Sequence, residues 1–121
     1  SFAEDLALCR RYCFAEPVGS TNDTYHPVMN GFCNSSSLFI GVMHLPVPMR
    51  ILPSLTTSGN FQIAGSGVIA DASSFTINDS DFGEIHTVQF RCTTASGTTG
   101  RGVNFRNNND TSAKFILSAE L

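Results

Sequence analysis

The side chains here that carry chemistry are scattered rather than gathered: three histidines (His26, His44 and His86), four cysteines and ten acidic residues. No Gly-x-Ser-x-Gly elbow, His-Glu-x-x-His pair, phosphate-cradling glycine loop or dinucleotide fingerprint occurs, so no nucleophile or base is marked. The chain reads as non-enzymatic and free of cofactors. His44 sits in an apolar run and is expected to be a hydrogen-bonded packing residue. His86 stands near Asp79, Asp81 and Glu84, a group whose carboxylate oxygens suit a hard cation such as calcium. The regular spacing of a calcium loop is missing, and an Asx-type turn accounts for the same residues.

The cysteines, Cys9, Cys13, Cys33 and Cys92, form no Cys-x-x-Cys and match no zinc module. They read as small buried hydrophobes, or as oxidised pairs of undetermined connectivity. Asn22, Asn34, Asn78 and Asn109 open formal glycosylation sequons, which serve here as markers of surface loops. Sugar recognition asks for a flat ring against the apolar face of a pyranose, with amides and carboxylates for its hydroxyls. Two loops offer that mixture: Asn22, Asp23, Tyr25 and His26 in one, Asp79, Asp81 and Phe82 in the other. Phe61 is a further candidate ring platform on a loop, and Asn107–Asn109 are further polar companions. The competing reading is that these Asn and Asp serve their own turns.

These residues must be positioned by a single domain of 121 residues with 41% apolar and 14% charged side chains. A net charge of −3 excludes binding to nucleic acid through a basic face. No apolar run reaches the roughly 18 residues of a spanning helix, so membrane insertion is not expected. The elements read as β throughout. His86, Val88, Phe90 and Cys92 alternate against Thr87, Gln89 and Arg91 over residues 84–94. Leu38–Leu45 is an apolar run expected to be covered on both faces. Pro46–Pro53 cannot be a central strand and reads as a stiff crossover. Leu6–Phe14 reads as a strand, Glu16–Gly31 as a long loop, and further strands as Ser54–Ser58, Asn60–Ala64, Gly67–Ala70, Ser74–Asn78, Gly102–Arg106 and Ala113–Leu121. The expected fold is an antiparallel β-sandwich, jelly-roll-like, with about seven or eight short strands.

The opening Glu4-Asp-Leu-Ala-Leu-Cys-Arg-Arg-Tyr-Cys-Phe14, the middle Leu45-Pro-Val-Pro-Met-Arg-Ile-Leu-Pro-Ser54 and the closing Ser118-Ala-Glu-Leu121 resemble a domain family of tailed-phage and environmental viral proteins. There the domain stands near the C-terminus of tail-fibre-like appendages. The resemblance implies a trimeric, extracellular module on the virion, excised here from a longer protein, that attaches to cell-surface or polymeric glycans. It also implies structural or interface roles for Arg10, Arg11, Tyr12 and Arg50, with Glu120 among the carboxylates able to pair them. Cys13 departs from the family pattern and opens a disulfide with Cys33. The expected function is therefore a non-catalytic carbohydrate- or receptor-binding domain. The alternatives are a trimerisation or capping domain without ligand and, third, a small hydrolase for which no residue set is present.

Overall fold

A computed structural model describes residues 1–5, 13–16, 24–49, 51–65, 67–79 and 85–119, with 13–16, 47, 79, 85 and 86 described by backbone alone. The strands are β1 (Cys13–Glu16), β2 (Pro27–Ser35), β3 (Leu38–Met49), β4 (Ser54–Ser58), β5 (Phe61–Gly65), β6 (Val68–Asp79), β7 (Ile85–Thr94), β8 (Gly102–Asn107) and β9 (Lys114–Ser118). All pairings are antiparallel. The all-β expectation holds, but the main sheet does not stay open as half of a sandwich. Six strands close into a barrel in the order β2-β3-β7-β6-β5-β8, and β1-β9-β4 form a separate three-stranded sheet. Closure removes the free edges that an open sheet would leave on these six strands.

Alternation fills the barrel. Phe39 and Met43, Val88, Phe90 and Cys92, Val103 and Phe105, and Ile63 all point inward and are buried. Phe115 of β9 meets Phe90 at 5.7 Å and Phe105 at 6.0 Å between ring centroids. The side sheet therefore closes over the same core, in tilted and edge-on ring arrangements that aromatic quadrupoles favour.

Several elements depart from the sequence reading for physical reasons. Residues Pro27–Gly31 are strand, not loop; a proline is tolerated as the first strand residue. Gly31 pairs with Gly41, and a Cβ on Gly31 would lie 2.2 Å from the Ile40 carbonyl oxygen and 2.7 Å from the Phe39 ring. These glycines let two backbones close over a buried ring; they do not mark a turn. β3 runs on through Pro46 and Pro48, and the ladder jumps from His44↔Thr87 to Met49↔Ile85. That irregularity accommodates residues that donate no ladder hydrogen bond. The outer face of β3 is uncovered in the single chain: Val42 is exposed, as is His44, which is therefore not a packing residue.

Strands expected at Gly67–Ala70 and Ser74–Asn78 are one strand, β6. Its inward residues change phase, Val68 and Ala70 before the break and Phe75 and Ile77 after it. Ser74, at φ 55°, lies in the register shift between Ser73 and Thr76 that absorbs the extra residue.

Cys33 and Cys92 are free, buried thiols, so the pairing of Cys33 with Cys13 is not formed. Cys33 is paired with Phe39, and Phe39 with Cys92, in one inward row. Burial, and secondarily the nearby Cys33, push the Cys92 thiol up to about 12. A raised folded pKa leaves stability intact below the unfolded thiol value and removes it as pH climbs towards the folded one. At about pH 8, where an exposed thiol reacts readily, Cys33 and Cys92 are expected to resist alkylation in the folded protein and to react in denaturant. Mass spectrometry of labelled peptides checks this; labelling of either under native conditions would contradict the closed barrel.

Candidate functional site

The end of the barrel where β8 finishes is built on the run Asn107–Asp110. Asn107 is fully buried. Its Oδ1 accepts the His26 backbone N–H, and its Nδ2 donates to the Asp110 carbonyl at 2.9 Å. Asn109, left-handed at φ 47°, donates its N–H to the Thr24 carbonyl at 2.9 Å. Asp110 receives the Ser112 hydroxyl at 2.7 Å and the backbone N–H groups of Ser112 and Asn60, each at 3.0 Å. The Ser112 hydroxyl first, then these N–H groups, hold the Asp110 carboxyl below the usual carboxylate range. A depressed folded pKa means this clasp is intact above the ordinary carboxylate value and loosens as pH falls through the lowered one.

The clasp sets Thr24–His26 against the barrel, and with it Tyr25, which is 44% exposed. The Arg106 guanidinium lies 4.6 Å from the Tyr25 ring centroid, a cation–π contact that fixes the ring's inner face. Arg106 is fixed in turn by Gln62. In the amide orientation that satisfies both neighbours, Gln62 Oε1 accepts Arg106 Nε and Nη2 at 2.8 Å, and Nε2 donates to Asn108 Oδ1 at 3.2 Å. Asn108 Nδ2 then donates to Asp71 Oδ1 at 3.2 Å. A continuous chain, Tyr25–Arg106–Gln62–Asn108–Asp71, thus crosses three strands.

It ends at a pocket of about 360 Å³ where β6 passes the start of β5. Asn60, Asp71, Ser73, Ser74 and Asn108 supply its polar lining, and Phe61 and Phe75 its apolar side. The strained Ser74 belongs to this wall, and non-glycine residues in the left-handed region collect at functional sites. Carboxylate, amides and hydroxyls beside the half-buried Phe75 ring make a surface suited to a neutral, hydroxyl-rich ligand. No residue in it is arranged as a nucleophile with a base, and no cluster of three or more His, Cys, Asp or Glu able to hold a metal occurs among the described residues.

Of the residues expected from sequence, Tyr25 and His26 stand at this end of the barrel. His26 contributes its backbone N–H to the clasp. Phe61 is a core ring rather than a loop platform. Asn22, Asp23, Asp81, Phe82, Arg10, Arg11, Tyr12, Arg50 and Glu120 lie outside the described residues, and Cys13 and Asp79 are placed by backbone only. Asp79 lies on β6, whereas Tyr25 rests against Arg106 of β8, two strands away by way of β5 and four by way of β7, β3 and β2. Asp71 and Gln62 were not legible as site residues. Gln62, a polar residue between Phe61 and Ile63 on an otherwise buried strand, was the available signal.

Fold and site together define a small antiparallel barrel with a side sheet and a polar, ring-backed pocket at one end. No protein-family model matches the chain, and comparison with curated proteins and with solved structures returned no match.

Proposed function

We propose that this domain is a non-catalytic carbohydrate-binding module of a viral appendage protein, exposed on the virion and assembled as a homotrimer. The observation that carries the reading is the Tyr25–Arg106–Gln62–Asn108–Asp71 chain leading from an exposed ring into a pocket of amides, hydroxyls and one carboxylate. Every polar group on that path is already oriented by a neighbour, which lowers the ordering cost of binding. Support for trimeric assembly comes from adjacent exposed apolar side chains, Ile51 at 46% and Leu52 at 42%, in the proline-rich segment. Subunit contact along this segment would cover both side chains, and three weak sites acting on a repetitive polymer gain through effective concentration. The same two side chains are equally compatible with the second reading, a capping domain that trimerises and binds no ligand.

A glycan array on the 121-residue chain, followed by affinity electrophoresis, tests the proposal. Tyr25→Ala and Asp71→Ala are each expected to weaken retention about tenfold, a loss of about 1.4 kcal/mol, without lowering the melting temperature appreciably. Flat arrays together with a trimer by light scattering would favour the cap.

A further inference from the structure

The two ends of the polar chain lie in one line across the barrel wall. Arg106 is the direct ladder partner of Gln62, and Gln62 of Asp71. Direct partners in antiparallel ladders share a face and line up perpendicular to the strands. The three residues therefore form a row across β8, β5 and β6. Neighbouring strands stand about 4.7–4.9 Å apart, which puts Arg106 and Asp71 about 10 Å from each other. Tyr25 stands at the β8 end of the row, on the Arg106 guanidinium. Asp71 stands at the β6 end, in the wall of the pocket of about 360 Å³, with Asn60, Ser73 and Asn108 around it and Phe75 behind. Both ends reach solvent: the Tyr25 ring is 44% exposed, and Asp71 is exposed.

The middle of the row is different. Gln62 is 4% exposed, and its carboxamide is engaged on both sides, Oε1 by Arg106 Nε and Nη2 and Nε2 by Asn108. It offers a ligand almost no surface, yet it holds the two ends at a fixed separation. That separation is wider than one pyranose ring, so a single sugar touches one end or the other. We infer that the site takes a run of about three linked sugars, laid along the row of about 10 Å from the Tyr25 ring to the Asp71 pocket, and not a single terminal sugar. The inference rests on the carbohydrate reading above and sets the length of ligand that reading leaves open. The first sugar covers the Tyr25 ring, the last gives its hydroxyls to Asp71, Asn60 and Ser73, and the one between passes over the buried Gln62. Once one end is held, the glycosidic linkage makes the other contact intramolecular, so two weak contacts combine without any new one. A ligand that occupies one end alone forgoes that gain.

A length series tests this. Affinity gels cast with dextran, xylan or mannan first show which polymer retains the 121-residue chain. Wild type, Tyr25→Ala and Asp71→Ala are then titrated by NMR with glucose, xylose or mannose and with the matching isomalto-, xylo- or manno-oligosaccharides of two, three and four units. For wild type, Kd is expected to fall about tenfold or more from the single sugar to the three-unit ligand and to change little with the fourth unit. In each variant the series is expected to be flat, because one end is gone and no length bridges to it. A residue acting only through the fold would weaken every length alike and leave the ratio of the Kd values unchanged. Should Asp71→Ala fail to fold, Tyr25→Ala alone decides. A single sugar that binds wild type as tightly as the three-unit ligand would overturn the inference and leave the carbohydrate reading standing. So would a length gain that persists in Tyr25→Ala, or single-sugar binding lost in both variants, since one sugar would then be touching both ends. No retention of wild type on any gel and no binding in any titration would overturn both.

Discussion

Phe105→Ala is expected to remove about 3–5 kcal/mol of stability, the range for emptying a buried phenylalanine site. The ring is fully buried and has ring neighbours on every side: Phe90 at 4.7 Å, Phe61 at 5.0 Å, Phe75 at 5.7 Å, Phe115 at 6.0 Å and Phe39 at 6.2 Å. These partners come from β7, β5, β6, β9 and β3, so the lost volume lies where the barrel and the side sheet meet. Rigid strands on all sides cannot collapse into it, and an uncollapsed cavity is what makes such substitutions expensive. Domains of this size have only about 5–15 kcal/mol in total, so the variant should be close to unfolding at physiological temperature. Urea denaturation checks this as a large drop in midpoint at constant slope. A loss below about 1 kcal/mol would mean that the ring cluster is not the shared core.

Asn107→Ala should also be damaging, by about 1–3 kcal/mol, for a different reason. The carboxamide satisfies the His26 N–H and the Asp110 carbonyl from inside the barrel end. Alanine removes both partners and empties a fully buried site; the two groups are half-buried, so water recovers part of the about 1–3 kcal/mol that a fully buried unpaired group costs. The same change frees Thr24–His26, so glycan retention should fall together with stability. Tyr25→Ala, by contrast, should lower retention alone. Thermal melts and affinity gels on the two variants separate the clasp from the contact; a stable Asn107→Ala protein that still binds would remove the clasp from the account of the site.

How much of this was readable in advance depended on how local the cause was. β7 was legible because Val88, Phe90 and Cys92 keep strict alternation on a half-buried strand. β6 read as two strands, since a bulge and a turn both appear in sequence as a phase change between apolar runs; only its pairing with β5 and β7 decides for the bulge. Tyr25 was legible as an aromatic among turn residues. Its partner Arg106 was not, because the contact spans most of the chain and follows from β2–β8 pairing. Asn107 read as one of several turn asparagines. Its burial is a property of where the barrel closes.

By itself, then, the sequence determined the class of structure: period-two apolar patterning, glycine and proline punctuation and low charge leave an antiparallel β protein and little else. It also determined the chemistry on offer, rich in amides and hydroxyls with a few rings. The tertiary structure alone decided that the main sheet closes, through β8 pairing with both β2 and β5. It decided as well that Asp71, Asn108 and Gln62 meet Arg106 and Tyr25. The physical reason is the range of the forces involved. Strand formation is dictated by neighbours two residues apart, whereas closure and the site depend on ladders between distant segments, whose register is chosen by how the whole set of inward side chains packs.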